Sequence, residues 1–292
     1  MQPSTPTGDT LAQRYTIAID QLCEIARVYY FLGRSGDAQQ LLRASLQLLD
    51  APETTPQQRL KLSLLYGQVL IVDHFLTRGD AEPMWSTILG AKQLAEATHD
   101  RQGIADATSL IGQAHYFAAV VESRKQGTPL TSAPGQGKYD QALAYQQQAL
   151  ELREALHDTR GISESLFQIG VVYERWQQFE RAQECYTQAR QIADQHGHPF
   201  EKTEPARHVA FHALREGNLE QALPLALEAL ALREEAGFRP YQPLDHLLIY
   251  DVYLARGDSE RAQHHARRAM EIAEELGHQA MVAAYLKTTR SA

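Results

Sequence analysis

The apolar positions of the chain repeat with a long period as well as a helical one. Alanines stand just after a polar turn at Ala142, Ala182, Ala222 and Ala262, so that one recurs about every 40 residues, a period typical of repeat proteins. Upstream, the fifteen residues that begin at Thr98 closely match those that begin at Leu156. The interval between these two segments is one period of 40 plus an insertion of 18, so the same period extends towards the N-terminus.

Two columns of equivalent positions extend the register to six units. The first holds only β-branched residues: Ile25, Ile71, Ile111, Ile169, Val209 and Ile249. The second holds small residues, which let two helices approach closely: Ser45, Ala91, Ala149, Ala189, Ala229 and Ala269. Between the columns lie turn glycines at positions 33, 79, 137, 217 and 257, and three of them precede a helix N-cap candidate: Asp80, Asn218 and Asp258. Each unit is therefore predicted to be a helix, a tight turn and an antiparallel helix.

The fourth unit resembles a tetratricopeptide repeat. It reproduces the W-x2-L-G-x2-Y and A-x3-F signature of that family at Leu166, Ile169, Gly170, Tyr173, Ala182, Tyr186 and Ala189. The period of 40 resembles the longer-helix variety found in kinesin light chains and in the sensor arrays of large bacterial transcriptional activators. This resemblance implies an all-α, right-handed superhelical solenoid whose first helices line a concave groove.

The register predicts the domain organisation. After a disordered N-terminus at residues 1–10, a single solenoid has units at about 11–50, 57–97, 101–157, 159–197, 199–237 and 240–277, with a capping helix at 279–290. The third unit contains the insertion, at about 119–136, whose composition indicates a loop. Such a long loop is either a lid or partner-binding segment, or a solvated decoration.

Composition and charge exclude several classes of protein. With 28 Lys and Arg against 36 Asp and Glu, the net charge is −8, which argues against a nucleic-acid partner. No uninterrupted apolar segment is long enough to cross a membrane, and the start of the chain has no signal-peptide pattern. The two cysteines, Cys23 and Cys185, form no CxxC pattern, which favours a reducing cytoplasm.

The sequence contains none of the usual marks of catalysis. The DDxxD, GxSxG, GxxxxGK[ST] and strand-borne GxGxxG motifs are all missing, so no cofactor is expected and the protein is predicted not to be an enzyme. His208 and His212 lie one helical turn apart, a spacing that suits a metal. Because His212 falls in a largely apolar column, packing in the core is the better interpretation, and no metal is predicted.

Reading the inward columns of the first helices gives a candidate partner-binding groove. The predicted residues are Arg27, Tyr30, Phe31, Asp73, Asp106, Gln113, Tyr116, Phe117, Glu164, Phe167, Glu174, Arg175, Glu204, Arg207, His208, Phe211, Arg215 and Asp251. The adjacent aromatic pairs 30–31 and 116–117 are not expected to point inward together. In these columns acids outnumber bases, and the Lys and Asn positions of the family's chaperone-tail clamp are not reproduced.

These features predict a non-enzymatic adaptor that binds a peptide or protein segment with apolar anchors and some basic residues. One alternative is a regulatory repeat protein that senses a ligand or a peptide. Another is an enzyme or small-molecule binder whose groove uses Arg175, Arg207, His208 and Arg215 together. The oligomeric state is left open, because Leu244, Leu247, Leu248 and Leu254 suit either a seat for the cap or a dimer surface.

Overall fold

Helices account for nearly all of the chain. The structure, a computed structural model, describes residues 10–289, in which thirteen α-helices follow one another and no strand occurs. The helices are α1 Leu11–Phe31, α2 Ser35–Leu48, α3 Pro56–Thr77, α4 Glu82–Ala97, α5 Arg101–Gln126, α6 Asp140–Ala155, α7 Thr159–Arg175, α8 Phe179–His196, α9 Thr203–Arg215, α10 Leu219–Ala236, α11 Gln242–Ala255, α12 Ser259–Leu276 and α13 Gln279–Thr289. The predicted all-α superhelical solenoid is confirmed. The predicted N-terminal disorder falls outside the described residues, apart from Thr10.

Local capping fixes where several helices begin. Asn218 and Asp258, as predicted, accept hydrogen bonds from the amides of Gln221 and Arg261 in the first turns of α10 and α12. Asp80 behaves differently. Its carboxylate accepts from the amide of Glu82, but Ala81 holds the N-cap position of α4.

Left-handed residues make the turns within the units. Gly33, Gly217 and Gly257 have φ angles of 77°, 74° and 77°, a region in which a side chain would be strained. In the second unit, Gly79 lies in the turn as predicted, but the left-handed residue is its neighbour. Arg78 caps α3 with φ 58° instead, and Gly79 follows it with an ordinary φ.

The small-residue column packs as the sequence predicts. All six members, from Ser45 to Ala269, are at most 1% exposed, so paired helices meet with no bulky side chain between them. The β-branched column is buried at Ile71, Ile111, Ile169 and Ile249, but Ile25 is 45% exposed.

The insertion in the third unit is only partly a loop. Helix α5 continues through residues 119–126, and Gly127 ends it in a left-handed conformation. The loop that follows folds back onto the solenoid. The Tyr139 hydroxyl donates to the carbonyl of Leu130 at 2.6 Å, and the amide of Ser132 donates to the carbonyl of Arg175 at 3.1 Å. The segment therefore packs against the end of α7.

The superhelix closes on itself. Phe238, which is 1% exposed and lies between α10 and α11, packs its ring against Tyr30 and Phe31 of α1 at centroid distances of 5.1 and 5.4 Å. Phe200 joins the same cluster, 5.4 Å from Phe31 and 5.1 Å from Phe238. We call these four residues the closing cluster. It joins the first unit to the fifth and sixth units, which the open groove of the sequence analysis did not include.

Two further contacts reinforce this closure. Tyr241, next to the closing cluster, lies 6.0 Å from the Phe75 ring of α3. At the turn after α1, a Cβ on Gly33 would lie only 2.6 Å from Leu276 at the end of α12. The first turn of the solenoid therefore packs directly on the last hairpin.

We expect Phe238→Ala to lower the free energy of unfolding by about 3–5 kcal/mol, the cost of deleting a fully buried aromatic side chain. Because Phe238 holds the two ends together, small-angle scattering should also show a larger radius of gyration. The matched control is Phe211→Ala, whose side chain is 37% exposed and should cost less than about 1 kcal/mol. An unchanged radius of gyration in Phe238→Ala would contradict closure by this residue.

Candidate functional site

Closure of the superhelix forms a central cavity of about 620 Å³ that stays partly open to solvent. Its wall is built from the first helix of every unit, with Leu130 of the insertion and Phe200 and Phe238 of the inter-unit turns. Helix α13 completes it through Met281 and Tyr285, whose hydroxyl donates to Asp251. The cavity lies within the range of volumes usual for small-molecule and cofactor sites.

Most of the predicted groove residues line this cavity. They are Tyr30, Gln113, Tyr116, Phe117, Glu164, Phe167, Glu174, Arg175, Glu204, Arg207, His208, Phe211 and Asp251. The structure brings them together because the inner helices share one register. Tyr116 and Phe117 both line the cavity, so the expectation that adjacent aromatics cannot both point inward is wrong for this pair.

The other five predicted residues lie elsewhere. Arg27 is exposed and pairs with Glu24, and the Arg215 guanidinium stacks on the ring of Phe179. Phe31 belongs to the closing cluster. Asp73 lies in a separate groove between the ends of α1 and α12, and Asp106 is half-buried beside Arg153.

Sequence reasoning missed the parts of the wall that lie outside the repeat columns. Arg124 belongs to the insertion, Phe200 and Phe238 to the turns between units, and Met281 and Tyr285 to α13. A signal for the two phenylalanines was present, because each is a large apolar residue in an otherwise polar turn.

Buried arginines neutralise the carboxylates of the wall. Arg153 of α6 is 3% exposed, and its Nη2 donates to Asp106 of α5 at 3.1 Å and to Glu164 of α7 at 2.8 Å. Its Nη1 donates to the hydroxyls of Ser109 and Ser165, at 3.2 and 2.8 Å. Arg153, on the second helix of the third unit, thus bridges carboxylates on the first helices of the third and fourth units.

Arg233 repeats this arrangement two units later. It is fully buried, and its Nε donates to Asp245 of α11 at 2.8 Å while its Nη2 donates to Glu204 of α9. Arg207 also donates to Glu204, at 3.0 Å. Burial alone would raise the pKa of Glu204, but Arg207, Arg233 and His208 outweigh it and lower the pKa to about 2.

Glu174 is held by two histidines and a tyrosine. One of its oxygens, Oε2, accepts from His208 Nδ1 at 2.7 Å, from His212 Nε2 at 3.0 Å and from the Tyr186 hydroxyl at 3.1 Å. Although burial opposes it, the interaction with His208, the hydrogen bond from His212 and the charge of Arg175 lower the pKa of Glu174 well below its usual value.

The protonation state of His208 follows from its two neighbours. A guanidinium only donates and a carboxylate only accepts, so Arg207 Nη2, at 2.8 Å, donates to Nε2 while Nδ1 donates to Glu174. His208 is therefore neutral. Burial lowers its pKa and Arg207 adds to this, against the opposing charge of Glu174. The two histidines pack in the core, and residues 10–289 contain no group of three or more His, Cys, Asp or Glu that could hold a metal.

Because these acids already have internal partners, they are not free to attract basic side chains. The expectation of basic residues in the partner rested on a surplus of groove carboxylates, and this basis is lost. As a separate finding, none of the helices within 10–289 combines the length and apolarity needed to cross a bilayer.

Antiparallel helix pairs that recur about every 40 residues around a central cavity define a helical-repeat protein. Residues 135–195 match the model of the Tetratricopeptide repeat family. This segment therefore contains tetratricopeptide-repeat sequence, as the signature in the fourth unit predicted. No curated protein sequence matches it.

Several solved structures share the fold. A Rap protein complexed with Competence and Sporulation Factor has a TM-score of 0.57 at 16% identity, covering 91% of this chain and 67% of its own. The apo form of RapI has a TM-score of 0.58 at 14% identity, covering 93% of this chain and 87% of its own. The Rap conjugation gene regulator of plasmid pLS20, in complex with the Phr* peptide, has a TM-score of 0.63 at 17% identity, covering 94% of this chain and 66% of its own. The chain thus spans about two thirds of two of these relatives, and the likeness is one of fold.

The buried carboxylates make stability depend on pH. The pKa of Glu204 is about 2 in the folded protein and near 4.5 when unfolded, so its contribution is complete above pH 4.5 and is lost as the pH falls towards 2. We expect Glu204→Gln to cost roughly 3 kcal/mol at pH 7, which corresponds to this shift. The difference from wild type should shrink below pH 4.5 in urea denaturation.

The matched control is Glu24→Gln, because the Glu24 side chain is 58% exposed and its ion pair is a surface one. Its effect should be small at every pH. A cost for Glu204→Gln that stayed constant from pH 7 to pH 2 would show that packing, and not charge, explains the loss.

Proposed function

We propose that this protein binds a short peptide segment in its central cavity and does not catalyse a reaction. The observation that supports this is the aromatic-lined central cavity of about 620 Å³, most of whose lining comes from the inner helices of the repeats. Tyr116, Phe117, Phe167 and Phe211 supply apolar surface of the kind that anchors a ligand's side chains.

The polar groups of the wall suit peptide bonds. The side-chain amides of Gln68, Gln113 and Gln168 line the cavity, and each offers both donors and an acceptor, as a peptide group does. The volume accommodates a few residues and not a folded domain. Two relatives of this fold are described as complexes with Competence and Sporulation Factor and with the Phr* peptide, which is consistent with this choice of ligand.

The absence of catalysis is part of the proposal. Glu174, Glu204 and His208 are the side chains best suited to acid–base chemistry, but each is engaged by internal hydrogen bonds. The alternative of a site built from Arg175, Arg207, His208 and Arg215 loses one member, since Arg215 stacks on Phe179 outside the cavity. The cytoplasmic location remains a prediction of the sequence.

A second candidate function is ligand sensing by a regulator. The observation that favours it is that Phe200 and Phe238 belong both to the closing cluster and to the cavity wall. A ligand that contacts these rings would change the free energy of closure, and closure positions the outer surfaces of the first and last units.

The test uses random synthetic pentapeptides equilibrated with the purified protein, with retained peptides identified by mass spectrometry. We expect enrichment of peptides with aromatic or aliphatic residues. Phe117→Ala and Phe211→Ala should each weaken the binding of an enriched peptide by about 1–3 kcal/mol, the range for aromatic anchors that a ligand buries.

Phe179→Ala is the matched control, because this half-buried phenylalanine lies outside the cavity. Its affinity should equal that of wild type, and melting curves should confirm that all three variants fold. Enriched peptides that bound the cavity variants and wild type equally would place the binding surface elsewhere. Enrichment of no peptide would contradict the proposed function.

A further inference from the structure

One end of the cavity is unusually basic. Arg78, Arg124 and Arg175 all line it, and each lies at the C-terminal end of an inner helix: Arg78 caps α3, Arg124 is in the last turn of α5 and Arg175 ends α7. The insertion loop lies beside them, since the amide of Ser132 donates to the carbonyl of Arg175.

These arginines are half-buried and have fewer acidic partners than the buried Arg153 and Arg233, although Arg175 Nε donates to the Tyr116 hydroxyl at 3.0 Å. Arg124 Nη1 is buried and has no hydrogen-bond acceptor among the described residues, and its guanidinium lies over the Phe75 ring at 4.9 Å. Within residues 10–289, neither Arg78 nor Arg124 forms an ion pair with a carboxylate. The nearest carboxylate to Arg175 is that of Glu174, at 3.9 Å, and its other oxygen already accepts three hydrogen bonds.

Arg124 differs from Arg153 and Arg233 in the charges of the groups around it. Those two arginines each bind two carboxylates, whereas Arg124 faces two further arginines. Burial lowers the pKa of Arg124, and the charges of Arg175 and Arg78 lower it further. A helix C-terminus supplies roughly −0.5 of an elementary charge, which offsets only about half of each arginine's charge.

We propose that Arg78, Arg124 and Arg175 bind a carboxylate of the peptide that occupies the cavity. This inference rests on the proposed function and names the chemical group that orients the ligand. A buried N–H without an acceptor, such as Arg124 Nη1, destabilises the empty protein, and a ligand carboxylate supplies the acceptor. The ligand is thus a peptide with an apolar body, facing Phe117, Phe167 and Phe211, and one anionic group at the arginine end.

A guanidinium fork suits a carboxylate because its parallel N–H groups match the two oxygens. The carboxylate has two sources in a peptide, the C-terminus and an Asp or Glu side chain. Either one satisfies the arginines, so the experiment separates them.

The experiment uses three pools of N-acetylated pentapeptides made from Gly, Ala, Ser, Leu and Phe. The first pool ends in an amide and is uncharged, the second ends in a free carboxylate, and the third ends in an amide and contains one Glu. We expect wild type to retain the second or the third pool at least tenfold more than the first. Which of the two is retained identifies the source of the carboxylate.

Arg124→Met should reduce this ratio to about one, and Arg124→Lys should restore part of it. Arg27→Met is the matched control, because Arg27 is exposed on α1 and outside the cavity, and it should keep the wild-type ratio. Equal retention of all three pools by wild type would overturn the inference and leave peptide binding intact. Retention of none would instead contradict the proposed function.

A measurement without any peptide tests the arginine cluster independently. If Arg124 is held for a ligand, Arg124→Met removes an unpaired, half-buried charge, and the melting temperature should equal or exceed that of wild type. Arg153→Met, which leaves Asp106 and Glu164 without their arginine, should melt several degrees lower. A melting temperature of Arg124→Met as low as that of Arg153→Met would show that Arg124 is structural, and would overturn the inference.

Discussion

The aromatic contact between the first unit and the turn before the sixth is the interaction on which the central cavity depends. In a solenoid, each unit normally contacts only its neighbours, and the concave face stays open to solvent. Here the ring of Phe238 packs on Tyr30 and Phe31, so the concave face becomes an interior. Side chains on the inner helices are then less exposed to water on the concave side. The cavity, the pairing of its charges and the burial of its histidines all follow from that lower exposure.

A partly enclosed interior requires that its charges be compensated. A carboxylate transferred from water into a protein interior costs several kcal/mol unless it is paired and hydrogen-bonded. The chain meets this requirement from the second helices, where Arg153 and Arg233, two repeat periods apart, each reach through to acids on two successive first helices. Such bridges join neighbouring units by charge, in addition to the close helix packing that the alanine column allows.

Much of the fold could be predicted from the sequence because it follows from local rules. Period, turn residues and the small-residue column specify helix pairs and their stacking, and these interactions reach only one unit away. Most of the residues predicted from the inward columns also line the cavity, since equivalent positions on stacked helices share a face. Closure could not be predicted in this way. It depends on curvature accumulated over all units and on Phe200 and Phe238, which belong to no column. Charge pairing could not be predicted from the columns either. A column contains Glu164 and Glu204, but their arginine partners lie on the second helices, outside it.

The packing of Gly33 against Leu276 has a consequence for how such a chain can change its length. An open solenoid gains or loses a unit with little effect elsewhere, because the new neighbours stack as the old ones did. In this chain the turn after α1 meets the end of α12, and a Cβ on Gly33 would lie 2.6 Å from the Leu276 side chain. Adding or deleting one unit would carry the two ends past each other or leave them apart. The closed geometry therefore constrains the number of units, which an open solenoid leaves free.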